Sequence, residues 1–389
     1  MTDKKKATAK VPLSVYLLGL VSFFNDTASE MLYPIMPLFI TQILKAPVFV
    51  VGIIDGVAEG TSAFFKGYFG ILSDKLRKRK IFVVGGYGTS ALSKIIIALS
   101  KTWPMVFLGR FVDRLGKGVR TGARDALLLE TTNGKNKGLI FGIHRTMDSA
   151  GAVIGPLIAL LLLNHFSGNI RMILYIATIP SFIGLLFFFF IKEAKKIQVK
   201  GNSDKPVFSL KSLSPKFKTF LFVLALFSLG NSSDSFLILR SKQLGLSVAM
   251  VIIVYVVYNI FYTLFSTPAG ILADKLGAKK VFPLGLIMYA LVYTGFAFNK
   301  NPAFIWVLFM IYGGYIAFTD GVSKALIGNL ISKNEAGTAY GVSQTIISLF
   351  TLLASVIGGI LWSAFGSEIT FIFGAVCAVL SLIVYAFNT

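Results

Sequence analysis

The segment Gly70-Ile71-Leu72-Ser73-Asp74-Lys75-Leu76 returns later in the chain as Gly270-Ile271-Leu272-Ala273-Asp274-Lys275-Leu276, with Ser73 and Ala273 the only difference. Each copy lies between two long apolar stretches and runs into basic residues, Arg77-Lys78-Arg79-Lys80 and Lys279-Lys280. A charged hinge repeated at half the chain length points to two similar helical units joined in tandem, an arrangement of transporters rather than of enzymes or soluble binding modules. The apolar stretches reach the roughly 20 residues that one bilayer-spanning helix needs. They are too long and continuous for barrel strands of about ten alternating residues. Only 14% of the 389 residues are charged and 55% are hydrophobic, whereas a soluble domain carries about 25% charged residues. The expected fold is an all-α membrane protein of twelve transmembrane helices in two pseudo-symmetric six-helix bundles.

In the first half the predicted spans are Val11–Ile43, Val48–Ser73, Ile81–Ser100, Trp103–Leu128, Gly138–Leu163 and Met172–Ile191. In the second they are Thr219–Leu239, Ala249–Leu272, Val281–Phe298, Ala303–Ile327, Thr338–Phe365 and Ile369–Phe387. Lys192–Lys218 is Lys-rich, contains Gly201, Pro206 and Pro215, and is too polar for the bilayer. Residues 11–191 and 219–389 then form the two bundles, and 192–218 a cytoplasmic linker. With the N-terminus inside, Lys4, Lys5, Lys6, Lys10, both hinge clusters and the linker face the cytoplasm, where Lys and Arg concentrate in membrane proteins. Both termini are then cytoplasmic. Most of the net +21 charge is topology, and no nucleic-acid partner is expected. The run after Val11 is too long for a cleaved signal peptide and contains Asn25, Asp26 and Glu30, so it reads as an uncleaved first span. Cys377 is the single cysteine, which leaves no intramolecular disulfide and no cysteine metal cluster.

The hinge resembles the loop between the second and third spans of the major facilitator superfamily, where Gly is followed four residues on by Asp, then by a basic residue and a basic run. The first copy has Arg77 where that pattern usually has Gly; the second keeps Gly277. The resemblance covers essentially the whole chain and implies a central cavity between two bundles that rock to give alternating access. Asp74 and Asp274, at cytoplasmic helix ends, can pair with basic residues or with the positive N-terminus of a neighbouring helix. Gly70, Asp74, Lys75, Gly270, Asp274 and Lys275 are therefore candidate gate residues; topology alone is the alternative reading of them.

Charge inside the spans carries the substrate argument. Arg110, Asp113, Arg114, Lys117, Arg120 and Arg124 recur every three or four residues in the fourth span and share one helical face. A charge at the bilayer centre costs about 2.5–3.5 kcal/mol even on a mild insertion scale, so this face must look into a wet cavity or pair with acids. Asp113 and Lys117, at i and i+4, are expected to neutralise part of the stripe. Arg110, Arg114 and Lys117 then form an anion-binding wall, because a guanidinium fork holds carboxylate or phosphate through two hydrogen bonds. Arg120, Arg124 and Asp125 lie nearer the cytoplasmic end and suit the gate or topology. Lys324 in the tenth span is the counterpart on the second bundle, either facing the solute or paired with Asp320. Asn25 and Asn231 join the candidate substrate contacts.

The acids Asp26, Glu30, Glu59, Asp113 and Asp148 are candidates for proton coupling, since a carboxylate in a low-dielectric cavity can take up and return a proton during a cycle. Static pairing with the basic stripe is the alternative. Asp55, one turn before Glu59, and Asp234, close to Asn231, belong to the same acidic set. His144 is a further possible relay beside Arg145.

The fourth span also resembles the superfamily's pattern through Arg110, Gly116 and Gly118, but has Asp113 and Arg114 where Gln and Gly are common. Gly151-Ala152-Val153-Ile154-Gly155-Pro156 resembles a fifth-span motif of antiporters, without its following glycines. The strings Phe24–Glu30 and Arg110–Thr121 are similar to a sparsely characterised bacterial subgroup. That resemblance implies a bacterial cytoplasmic membrane and, for some relatives, traffic in carboxylate siderophores.

The leading expectation is ion-gradient-driven, proton-coupled secondary transport of a small organic anion, a carboxylate siderophore being one candidate. Drug efflux by antiport and a non-transporting membrane sensor are the alternatives. No GxxxxGK[ST] loop, Ser/His/Asp arrangement or His-rich cluster occurs in a chain with two His, so neither an enzyme nor a cofactor or metal is expected. The expected partners are the solute, protons and the lipid bilayer, with the protein a monomer.

Overall fold

The computed structural model describes residues 11–76, 79–130, 137–191, 214–331 and 336–388. Lys4, Lys5, Lys6, Lys10, Arg77, Lys78 and residues 192–213 of the expected linker lie outside them, as does the side chain of Asp74. All regular structure among the described residues is helical. Twelve spans follow in order: α1 (Leu13–Leu32), α2 (Val48–Leu76), α3 (Arg79–Ala98), α4 (Trp103–Glu130), α5 (Lys137–His165), α6 (Ile170–Phe190), α7 (Pro215–Gln243), α8 (Val248–Leu276), α9 (Ala278–Phe298), α10 (Phe304–Leu330), α11 (Ala336–Phe365) and α12 (Ser367–Asn388). Ten are long and apolar enough to cross a membrane on their own. The other two, α1 and α4, carry Asn25, Asp26 and Glu30 and the charged stripe, which lower their hydropathy.

Three spans are interrupted where continuous helix was expected. The first helix ends at Leu32 rather than running to Ile43. Pro34 and Pro37 lack N–H donors, and the chain turns into a short helix at Met36–Leu38 and a π-helical turn at Phe39–Ile43. In α6 the helix breaks at Ala177, because Pro180 offers no N–H to the Ile176 carbonyl. In α7 it unwinds between Gly230 and Ser235. There Asn231-Ser232-Ser233-Asp234 set short polar side chains in competition with the helical hydrogen bonds. Unwound backbone is tolerated at membrane depth only when buried in protein or facing a wet cavity. Here the Gly230 carbonyl accepts from Tyr289 Oη at 2.7 Å, and the Ser233 N–H donates to Ser355 Oγ at 3.2 Å.

Packing follows the tandem repeat. In the first bundle α1 packs on α5 and α6, α3 on α4, and α2 on α4; six spans later α7 packs on α11 and α12, α9 on α10, and α8 on α10. Between the bundles α2 lies along α11 and α5 along α8. Glycines allow the α2–α11 approach: a Cβ on Gly52 would run into the Ser355 carbonyl, and one on Gly56 would sit 2.8 Å from the Leu352 carbonyl. A Cβ on Gly359 would likewise come within 2.9 Å of Phe49 Cα. The seam belongs to the Phe49 end of α2. Towards the hinges, Gly67, Gly70 and Gly270 have nothing within 4 Å of where a Cβ would point. Among the described residues, the bundles are shut at one end and parted at the end that bears the hinges.

Candidate functional site

Between the bundles lies a cavity in two lobes that share Tyr33 and Arg110. The first lobe, about 360 Å³, is bounded by Asp55 and Glu59 of α2, the unwound segment of α7, and Tyr312 and Tyr315 of α10. The second, about 220 Å³, is bounded by Asp26 and Glu30 of α1, Arg114 and Lys117 of α4, Asp148 of α5 and Asn259 of α8.

The charged face of α4 meets four different environments. Arg110 Nη2 lies 3.2 Å from Asp55 Oδ1, and Arg114 Nη2 lies 3.4 Å from Glu59 Oε1. Two members of the predicted anion wall are therefore already paired with α2. Lys117 is exposed in the second lobe, and its ammonium has no hydrogen bond or ion pair with a described residue. The expected Asp113–Lys117 pair does not form. Asp113 borders the second lobe but turns its carboxylate towards α3, where Oδ1 accepts from Ser90 Oγ at 2.8 Å and meets Lys94 Nζ at 3.4 Å. Lys94 is 1% exposed, and a cation removed from water needs a counter-charge more than cavity-facing Lys117 does. Arg120 joins that cluster, donating to Ser90 Oγ at 2.8 Å and standing over the Tyr87 ring at 4.4 Å. Arg124 pairs with Asp125 at 3.0 Å and lies 3.9 Å from Asp148.

Among the acids, Glu59 has a half-exposed side chain beside Arg114. Glu30 Oε2 accepts from Tyr255 Oη at 2.9 Å, a contact from the first bundle to the second. Asp148 accepts from Ser22 Oγ at 2.9 Å and meets Arg145 at 3.5 Å. Asp26 accepts from Asn25 Nδ2 at 3.4 Å. Asn25 itself is buried, lines neither lobe, and leaves its Oδ1 without a partner. His144 is buried near Asp148 and Arg124, with Nε2 unpartnered.

On the second bundle, Asn231 Oδ1 accepts from Tyr315 Oη at 3.1 Å and Asp234 Oδ1 from Tyr312 Oη at 2.6 Å. Lys324 is held by Asp320 at 2.7 Å and lines neither lobe, so internal pairing is the geometry seen. The hinge residues Lys75, Asp274 and Lys275 are exposed and make no ion pair with a described side chain.

Asp55 is the residue whose placement sequence reasoning did not anticipate. While Oδ1 holds Arg110, Oδ2 accepts from Ser233 Oγ at 2.7 Å and Ser235 Oγ at 2.5 Å. One carboxylate thereby joins α2, α4 and α7 across the bundle boundary. The polar run Asn231–Asp234 inside an apolar span was the available signal for those serines.

A tandem bundle shut at one end around a cavity lined by charged side chains is a transporter architecture, and similarity to known proteins decides the family. The Major Facilitator Superfamily model matches residues 18–240 and 220–389. The chain belongs to the major facilitator superfamily. It is 38% identical over 374 residues to an uncharacterised MFS-type transporter of Methanocaldococcus jannaschii, spanning 95% of this chain and 93% of that protein. It is 22% identical over 377 residues to the multidrug resistance protein MdtG of Salmonella typhi, spanning 92% and 90%. Among solved structures, a mutant of the nucleoside transporter NupG superposes with a TM-score of 0.82 at 15% identity, covering 96% of this chain and 99% of that one. The POT family transporter PepTSo gives 0.77 at 13% identity, covering 97% and 98%. At those identities the likeness establishes the fold alone. The protein is a multi-pass secondary transporter of this superfamily.

Proposed function

We propose that the protein couples proton movement to transport of a small organic anion through the cavity between its bundles. The observation that carries this reading is the pairing on neighbouring turns of α4: Lys117 is free of any ion pair with a described residue, while adjacent Arg114 is held by half-exposed Glu59. An incoming carboxylate is drawn to Lys117. Arg114 can add a bidentate grip only by leaving Glu59, which sets the solute carboxylate beside the Glu59 carboxylate, and that like-charge contact is costly. A proton on Glu59 removes that cost, so solute and proton bind together and leave together. Asp26, in the lobe of Lys117, is the second proton candidate. With the N-terminus cytoplasmic, the parted end opens inward. A citrate-type siderophore carries the carboxylates that this wall selects.

Reconstitution into liposomes under an imposed pH gradient tests the reading with a panel of mono- and polycarboxylates that includes a citrate-based siderophore. We expect accumulation that collapses with a protonophore and falls at least tenfold in Lys117→Gln. Uptake indifferent to the gradient, or unchanged in that variant, would contradict it. Efflux of amphiphilic cations has one observation in its favour, the acid Asp234 among tyrosines in the first lobe. Broad drug resistance on expression that is lost in Asp234→Asn would favour that alternative.

A further inference from the structure

The first lobe contains an acid that makes no ion pair with a described residue. Every other acid that bounds it has a cation: Asp55 has Arg110, Glu59 has Arg114, and Asp320 has Lys324. Asp234 has none among the described residues; its one recorded side-chain bond is from the neutral hydroxyl of Tyr312. Aromatic rings wall the same lobe, namely Tyr33, Phe227, Tyr312 and Tyr315. The Tyr312 and Tyr315 centroids are 4.9 Å apart, and Phe227 is 6.1 Å from Tyr315. Aromatic rings attract an ammonium group that comes within about 6 Å of a ring centroid. The helix Pro215–Gly230 ends at this lobe and the helix Ser235–Gln243 starts at it with Asp234 as its N-cap, so the two dipole ends offset and the carboxylate and rings carry the argument. The unpaired carboxylate and the aromatic lining favour a cation.

We propose that the first lobe is an ammonium site and that the transported solute is a zwitterion. Its ammonium, primary or quaternary, rests against Asp234 and the rings. Its anionic group reaches Lys117 in the second lobe, past Tyr33 and Arg110, which line both. The Lys117 end rests on the anion reading above; the Asp234 end stands on the first lobe alone.

The test uses full-length protein, read by thermal shift in detergent and by counterflow in liposomes. Probes come as matched trios whose zwitterion carries its charges at opposite ends of one chain: hexanoate, pentylamine and 6-aminohexanoate; octanoate, heptylamine and 8-aminooctanoate. We expect each zwitterion to half-saturate at a concentration at least tenfold below its matched anion. Asp234→Asn should bring the two to the same value, and Asp234→Glu, which keeps the charge, should retain part of the gap. Anions that match their zwitterions in the wild type would overturn the ammonium site and leave the anion reading standing. A zwitterion advantage that survives Asp234→Asn, with loss of a sodium requirement instead, would assign the site to an inorganic cation and overturn the proposal. Silence from anions and zwitterions alike would overturn both readings.

Discussion

Lys94 and Lys117 sit in neighbouring spans and come to opposite uses. Lys94 is 1% exposed and closes on Asp113 at 3.4 Å, while Lys117 stands in the cavity with no ion pair to a described residue. Removing one partner of a buried pair leaves the other uncompensated, at a cost of about 3–5 kcal/mol. Lys94→Met should therefore lower the melting temperature and folded yield of the detergent-solubilised protein, and adding Asp113→Leu should recover much of both. Lys117→Gln should leave yield near wild type while transport falls. The stripe on α4 was legible in its three- and four-residue spacing. Which of its members pair was not, because Asp55, Glu59 and Lys94 arrive from α2 and α3, and spacing along one helix says nothing about its register against another. The exposed lysine and the buried one look alike in a hydropathy average.

At the scale of the helix, the informative departures are the breaks. Pro34, Pro37 and Pro180 and the run Asn231–Asp234 were all visible in the chain, yet a span-length average absorbs them into apolar surroundings. The α7 break matters most, because it lets Ser233 and Ser235 reach Asp55 from the other bundle. A hydrogen bond to a charged group contributes about 1.5–3 kcal/mol. Ser233→Ala combined with Ser235→Ala strips Asp55 of both donors and should loosen the shut end. In a Cys377→Ala background, a thiol placed by Ser355→Cys, 2% exposed in the shut seam, should then react several-fold faster with a membrane-impermeant maleimide. An unchanged labelling rate would dismiss Asp55 as a latch.

For the whole molecule, the repeat announced two bundles, and the structure adds the state in which they meet. They touch along the glycine seam of α2 and α11 and part at the hinges, where Lys75, Asp274 and Lys275 are unpaired among the described residues. Alternating access requires that seam to open. Phe49 N lies 3.1 Å from Ser363 Oγ, so Phe49→Cys with Ser363→Cys, again without Cys377, should cross-link under oxidation. Transport should stop on cross-linking and return on reduction; continued turnover in the cross-linked protein would remove the seam from the cycle.

The central claim is that Glu59 gives up Arg114 to the solute only by accepting a proton. Lumenal pH, followed by a trapped dye as a transported anion is added to liposomes with no imposed gradient, tests it most directly. The account predicts that wild-type protein acidifies the lumen as the anion enters. It also predicts that Glu59→Gln exchanges labelled for unlabelled anion without moving protons. Anion entry with no pH change in the wild type, or acidification that persists in Glu59→Gln, would contradict it.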